Sequence, residues 1–153
     1  MATYFGNTMN EDGHPKSYIK LYWLVWLFLV SALLVTRFAI IKTYNEDALF
    51  NLFLVYIGPT WLALMGLNFF EGRRLMSYLR RHHYEKWEYL TYVPGFGSGG
   101  VNSFRSLPFL LSGDGLNDPH VKRLKSNYRR FAVLILTVFL SSPILFIVIT
   151  WEY

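Results

Sequence analysis

The sequence predicts an all-α integral membrane protein: three transmembrane helices, with a cytoplasmic amphipathic helical hairpin between the second and third. Three observations predict it. Hydrophobic residues make up 53% of the 153 and charged residues only 16%, against about a quarter charged in an ordinary soluble domain. The apolar residues are gathered into three long runs. The basic residues are gathered into the segment between the second and third of them.

The first run, Leu21–Thr36, carries no charge; Arg37 interrupts it and "FAII" continues to Lys42. The second, Ala48–Phe70, is free of charge over 23 residues, and the third, Phe131–Trp151, over 21. A spanning helix needs about 20 apolar residues to cross about 30 Å of hydrocarbon. The second and third runs meet that outright. The first meets it when Lys20, Arg37 and Lys42 snorkel to the two interfaces. In lipid each run must be helical, because only a helix satisfies its own backbone polar groups. Three buried helices of a soluble protein are the alternative, and they would leave too little chain to cover them. Some twenty residues precede the first run and no A-x-A site follows it, so it does not read as a cleavable signal. The predicted order is a cytoplasmic N-terminal tail at 1–17, spans at 18–42, 48–70 and 131–151, an external loop at 43–47, and a cytoplasmic basic helix-loop-helix segment at 71–130.

Lysine and arginine set the orientation. Residues 71–130 hold eleven basic residues against five acidic, whereas only Glu152 is charged beyond the third span. The long segment is therefore assigned to the cytoplasm, with the N-terminus inside and the C-terminus outside. Lys16 falls inside, and Trp151 and Tyr153 form the outer aromatic belt. The net charge of +5 then lies mostly by the inner leaflet, where each Lys or Arg gains about 1 kcal/mol from anionic lipid. This position argues against nucleic acid as the partner of the basic charge.

Within the spans, Pro59 and Pro143 each remove a backbone hydrogen bond and mark kinks. Ala63 and Gly66, with Gly58 on a nearby face, are small residues that let another helix approach closely. No Asp, Glu, Lys, Arg or His lies mid-span, which argues against a pump, a secondary transporter or a membrane cytochrome.

In the basic segment, Met76, Leu79, His83, Trp87 and Leu90 recur at helical spacing and extend the second helix as an amphipathic one. Val121, Leu124, Tyr128 and Phe131 do the same for a second helix that runs into the third span. Asp118 is its predicted N-cap, with Pro119 at the first helical position. Arg73, Arg74, Arg80, Arg81, Arg105, Lys122, Arg123, Arg129 and Arg130 are the candidate contacts to lipid headgroups or partners. The pair His82 and His83 has no H-x-x-x-H spacing, and adjacent helical histidines diverge by about 100°; no metal site is predicted, and with no cysteine no thiolate ligand exists. No nucleophile–base spacing is recognisable among Glu85, Glu88, Asp114 and Asp118, so no catalytic residue and no cofactor are assigned.

Gly95, Gly97 and Gly100 in "VPGFGSGGVN" match G-x-G-x-x-G, with Asp114 about twenty residues on. A dinucleotide loop must follow a strand and open a helix within a βαβ unit. Here a charged helix precedes the glycines and Pro108 follows closely, so a flexible turn between two amphipathic helices is expected.

"LRRHHYEKWEYL", a glycine-rich gap, then "FRSLPFLLSGDGLNDPHVKRLKSNYRRF" before a last hydrophobic helix resembles the cytoplasmic segment of universal stress protein B-like bacterial membrane proteins, over about residues 71–151. The chain departs from that pattern by one extra N-terminal span. The resemblance implies a bacterial inner-membrane location and assigns no active-site residue. The expected function is a small non-enzymatic accessory or scaffolding subunit of a membrane assembly, in contact with anionic lipid and with other membrane subunits or copies of itself. The alternatives are an oligomeric channel or transporter component, lined by residues such as Asn68 or Thr60, and a lipid-active enzyme using the carboxylates of the basic segment with Arg105.

Overall fold

The computed structural model describes residues 17–41, 45–100 and 102–151. The expectations for Lys16, Lys42, Glu152 and Tyr153, and most of those for the N-terminal tail and the first connecting loop, lie outside the described residues. The described chain is helical: α1 (Ile19–Val35) continued by a π-helical turn (Thr36–Ile40), α2 (Glu46–His82), α3 (Tyr84–Thr91), α4 (Ser103–Leu111) and α5 (Pro119–Thr150). Among the described residues the only extended pairing is an isolated bridge between Val93 and Gly97. Three helical stretches, Ile19–Ile40, Glu46–His82 and Pro119–Thr150, are long and apolar enough to cross a membrane.

The chain divides into two compact units, one holding Phe69–Arg130 and the other Tyr18–Asn68 with Phe131–Tyr153. The second, apolar unit has two interior clusters. Ile19, Leu64, Phe131, Leu134 and Val138 make one, flanked by Tyr22, Trp23 and Trp26. Leu33, Leu49, Tyr56 and Ile149 make the other. The Trp26 indole donates to the Tyr56 hydroxyl at 3.2 Å, giving each aromatic group's polar atom a partner between α1 and α2. Much of the remaining apolar surface is open, including Phe28, Val55 and Leu62, each more than 70% exposed. A soluble domain has no reason to leave so many large apolar side chains outside.

α2 starts two residues before the predicted boundary. Asn45 accepts from the Ala48 amide at 3.0 Å, which caps the helix, and Glu46 and Asp47 fill its first turn, where the helix dipole favours them. Pro59 and Pro143 both lie inside continuous helices. Each proline leaves the carbonyl four residues back, Val55 or Phe139, without its helical amide donor; next to it in the same turn, Thr60 donates to the Tyr56 carbonyl at 2.6 Å and Ser142 to the Val138 carbonyl at 2.6 Å.

Arg37 departs from the snorkelling expectation. It is buried, and donates from Nε to the Ile149 carbonyl at 2.7 Å and from its two terminal nitrogens to the Ile41 and Trp151 carbonyls at 3.0 and 3.3 Å. The ends of the π-helical turn and of α5 leave carbonyls without intrahelical donors. One guanidinium, with its fork of donors, closes both ends.

The Phe69–Arg130 unit has one leucine-rich core: Leu75, Leu79, Leu90, Phe109, Leu110, Val121 and Leu124. A methyl group added at Gly72 would lie 3.8 Å from the Tyr128 ring, and Leu75 and Leu124 share the core, so the α2 and α5 portions run side by side. The predicted single amphipathic helix through Leu90 is instead broken at His83, which leaves helical geometry at φ −139°, ψ 58°. The break lets α3 turn back: Arg80 lies 5.0 Å over the Trp87 ring, and Leu90 returns to Leu75 and Leu79. α4 is an element the sequence reading does not anticipate. Asn102 caps it, accepting from the Arg105 amide at 3.3 Å.

The glycine turn has the geometry that needs glycine. Gly95, Gly97 and Gly99 have φ of 85°, 81° and 102°, conformations that other residues adopt only with strain. The Val93 amide donates to the Gly97 carbonyl at 2.8 Å and receives, through its own carbonyl, the Gly97 amide at 3.0 Å. A helix, not a strand, precedes this turn.

Candidate functional site

The break at His83 and the N-terminus of α5 bring together residues that the sequence separates by about 40 positions. Asp118 is the predicted N-cap of α5: Oδ1 accepts from the His120 amide at 2.8 Å and from the Val121 amide at 3.4 Å. Its second oxygen accepts from His83 Nε2 at 2.8 Å and from the Tyr78 hydroxyl at 3.1 Å. One carboxylate thus ties α2, the α2–α3 break and α5 into a single node. Burial alone would raise the Asp118 pKa; the His83 contact, the two backbone amides and the Tyr78 hydroxyl outweigh it, and the carboxyl lies below the usual aspartate value. Burial, with the Asp118 bond and charge added, raises the Tyr78 hydroxyl above its ordinary value.

The turn that delivers Asp118 is strained. Leu116 and Asn117 both have φ of 53°, and the Asp118 amide donates to the Gly115 carbonyl at 2.9 Å, the pattern of a type I′ turn. Asparagine tolerates that region, whereas leucine pays roughly 1–2 kcal/mol for it. Two contacts hold Leu116 there: Asp114 accepts from its amide at 2.9 Å, and its side chain packs on the leucine core.

The three histidines among the described residues converge on an aromatic ring. Tyr78 stacks with His82 at 4.3 Å between centroids and with His120 at 5.7 Å. His82 Nδ1 lies 3.2 Å from the Tyr78 carbonyl. No group of three His, Asp or Glu side chains among the described residues is arranged to hold a metal ion. An open groove beside the node is lined by His82, His83, Tyr84, Glu85, Lys86, Tyr89 and Leu116. The His83–Asp118 pair can hold a proton at this groove, and Glu85 and Lys86 bring one charge of each sign to it.

Lys125, which the sequence reading passes over, is only 2% exposed. Its ammonium donates to the Asp114 carbonyl at 2.6 Å and the Ser112 hydroxyl at 3.2 Å, and lies 4.0 Å over the Phe109 ring. Burial pushes it below the ordinary lysine range, against the pull of Asp114. These contacts fasten the loop after α4 to α5, so the residue serves the fold. Its signal in sequence was its place on the Val121–Leu124–Tyr128 face.

Of the nine basic residues predicted to meet lipid or partners, Arg73, Arg80, Arg81, Lys122, Arg129 and Arg130 are exposed, and Arg105 and Arg123 are half-buried. Arg105 turns back to donate to the Tyr89 carbonyl at 3.1 Å and stacks 4.7 Å over the Tyr89 ring. Arg74 differs from the rest: it is buried and bound to Glu71 at 3.1 Å. An ion pair taken out of water needs such contact to offset desolvation. Gly58, Pro59, Ala63 and Gly66 are all exposed, and a methyl group added at Gly58 or Gly66 would meet nothing within 4 Å. The small-residue face is therefore not used inside the apolar unit. Of the two residues considered for a conduit, Thr60 is buried with its hydroxyl bound to its own helix, while Asn68 is exposed.

Among the described residues, fold and node together define a helical architecture with three helices of membrane-spanning length and a helical unit closed by paired polar groups. Comparison with protein-family models, with curated proteins and with solved structures finds no match.

Proposed function

We propose that this chain is a small non-enzymatic subunit of a bacterial inner-membrane assembly, with the Phe69–Arg130 unit in the cytoplasm, the N-terminus inside and the C-terminus outside. The observation that carries the reading is the outward small-residue face of α2. Pro59, Ala63 and Gly66 recur at i, i+4 and i+7 on one side of the helix, exposed, with Gly58 on a nearby face, and a methyl group added at either glycine meets nothing within 4 Å. In lipid, where apolar surface gives little drive to associate, faces of this kind let a neighbouring backbone approach and gain packing contacts. The partner is another membrane subunit or a second copy of the chain. The excess of Lys and Arg in residues 71–130 supports the inside placement, and the resemblance to universal stress protein B-like proteins supports the bacterial inner membrane. Extraction in a mild detergent followed by native mass spectrometry is expected to give a defined homo-oligomer or a stoichiometric complex that Gly66→Leu disperses. A clean monomer, unchanged by that substitution, overturns the proposal.

A further inference from the structure

His83 and Asp118 stand 35 positions apart and mark the two ends of one inserted segment. α3, the glycine turn and α4 lie between them and form an antiparallel hairpin. Asn102 donates to the Tyr92 carbonyl at 2.7 Å, the Arg105 guanidinium donates to the Tyr89 carbonyl at 3.1 Å, and Lys86 lies 5.1 Å over the Phe109 ring. These pairs keep one register from the turn down to the roots of the hairpin. The hairpin lies back along α5. Lys125, two turns into that helix, places its ammonium 4.0 Å over the Phe109 ring and donates to the Ser112 hydroxyl and the Asp114 carbonyl. Leu90, Phe109 and Leu110 are the hairpin's share of the leucine core; Leu75, Leu79, Val121 and Leu124 are the share of α2 and α5.

Both roots of the hairpin leave helical geometry. At one, His83 is a single residue at φ −139°, ψ 58° between α2 and α3. Its amide still donates to the Leu79 carbonyl at 2.8 Å, and its carbonyl accepts from the Trp87 amide at 3.0 Å, so helical bonding persists on each side of it. At the other root, Leu116 and Asn117 hold φ of 53°. A few residues at the ends of elements are enough to absorb the rotation of a whole segment. Neither α2 nor α5 needs the hairpin for its own backbone bonds, since each is a continuous helix, Glu46–His82 and Pro119–Thr150. What joins the roots directly is the bond between His83 Nε2 and Asp118 Oδ2 at 2.8 Å.

We infer that the α3–α4 hairpin is a hinged flap: it turns as one body about His83 and Leu116–Asn117, and the His83–Asp118 bond is the clasp that keeps it shut. Lys125 is the second fastening, on the flank. Opening withdraws Leu90, Phe109 and Leu110 from the leucine core. It also dismantles the groove beside the node, because that groove is lined from both roots, by His82 and His83 at one and by Leu116 at the other. The groove therefore exists only in the closed form. A segment that opens in this way exchanges its amides as a cooperative unit, at a lower free energy than the elements it leaves behind. The flap needs no contact outside the Phe69–Arg130 unit and is independent of the assembly proposed above.

Hydrogen exchange of the full chain in detergent micelles, read by mass spectrometry, tests the flap. Residues 87–91 and 106–111 are expected to share one degree of protection, about tenfold or more below that of residues 74–82 and 122–130. His83→Phe keeps a ring at the root and removes the clasp. It is expected to speed exchange in both halves of the hairpin alike, by about tenfold, as the loss of a hydrogen bond to a charged acceptor implies, while residues 122–130 are unchanged. Equal protection of the hairpin, α2 and α5 in the unsubstituted chain overturns the flap. Acceleration confined to residues 87–91 also overturns it, since His83 then serves α3 alone. Unchanged exchange in His83→Phe overturns the clasp, and so does a general loss of helical circular dichroism, since the bond then holds the whole unit. The oligomer measurement with Gly66→Leu reads a different part of α2, so either proposal fails without the other.

Discussion

The Phe69–Arg130 unit and the apolar unit handle polar groups in opposite ways. In the first, leucines fill the interior and the polar groups that enter it arrive in bound sets: Glu71 with Arg74, His83 and Tyr78 with Asp118, Lys125 with two oxygens and a ring. In the second, apolar side chains lie inside and outside alike, and the polar groups that enter serve the helices themselves, as Arg37, Thr60 and Ser142 do. Burial therefore distinguishes core from surface only in the first unit. In the second, helix–helix contact and backbone satisfaction decide what each residue does.

Substitutions at matched leucines break this comparison most sharply. Leu79 is fully buried and Leu62 is 72% exposed. Leu79→Ala is expected to cost about 2–5 kcal/mol through lost burial and a cavity, whereas Leu62→Ala changes stability by less than about 0.5 kcal/mol. Thermal unfolding in detergent, followed by circular dichroism, measures both. In the apolar unit the corresponding large effect is polar. Arg37→Met leaves three carbonyls without donors, and a loss of about 2–3 kcal/mol follows from the cost of unsatisfied buried acceptors. Arg37→Lys recovers part of it, because a single ammonium cannot span all three.

The node gives a smaller effect with a defined pH sign. Asp118 has a lower pKa folded than unfolded, so the unfolded chain binds the proton more readily. Its contribution is complete above the ordinary aspartate value near pH 4 and is lost as pH falls through the folded-state value. Stability followed by far-UV circular dichroism as pH falls is expected to decline less steeply in Asp118→Asn, from a lower starting value at neutral pH, with Asp118→Ala losing a further ~1 kcal/mol from the cap. Smallest is Gly97→Ala, at φ 81°, expected to cost about 1 kcal/mol; hydrogen exchange confined to residues near the turn is its readout.

The sequence shows some of this and hides the rest for physical reasons. Charge-free runs of 23 and 21 residues reveal helices because length and composition are local properties. Asp118 and Pro119 announce the start of α5 because capping is a matter of adjacent residues. The break at His83 has no glycine or proline to mark it; it exists because Leu90 returns to a core made of distant residues. Arg37 reads as an interfacial cation because two of its three acceptors lie more than 100 positions away. α4 escapes because Pro108 and apolar residues on two faces blur its period, although Asn102 offered a cap.

The topology proposed above puts residues 69–130 on the inner side of the membrane and the C-terminus on the outer side. A reporter active only outside the cytoplasmic membrane, fused after Tyr153 or inserted at Gly99, tests it. Activity after Tyr153 with silence at Gly99 is the expected result. Silence after Tyr153 with activity at Gly99 contradicts the account.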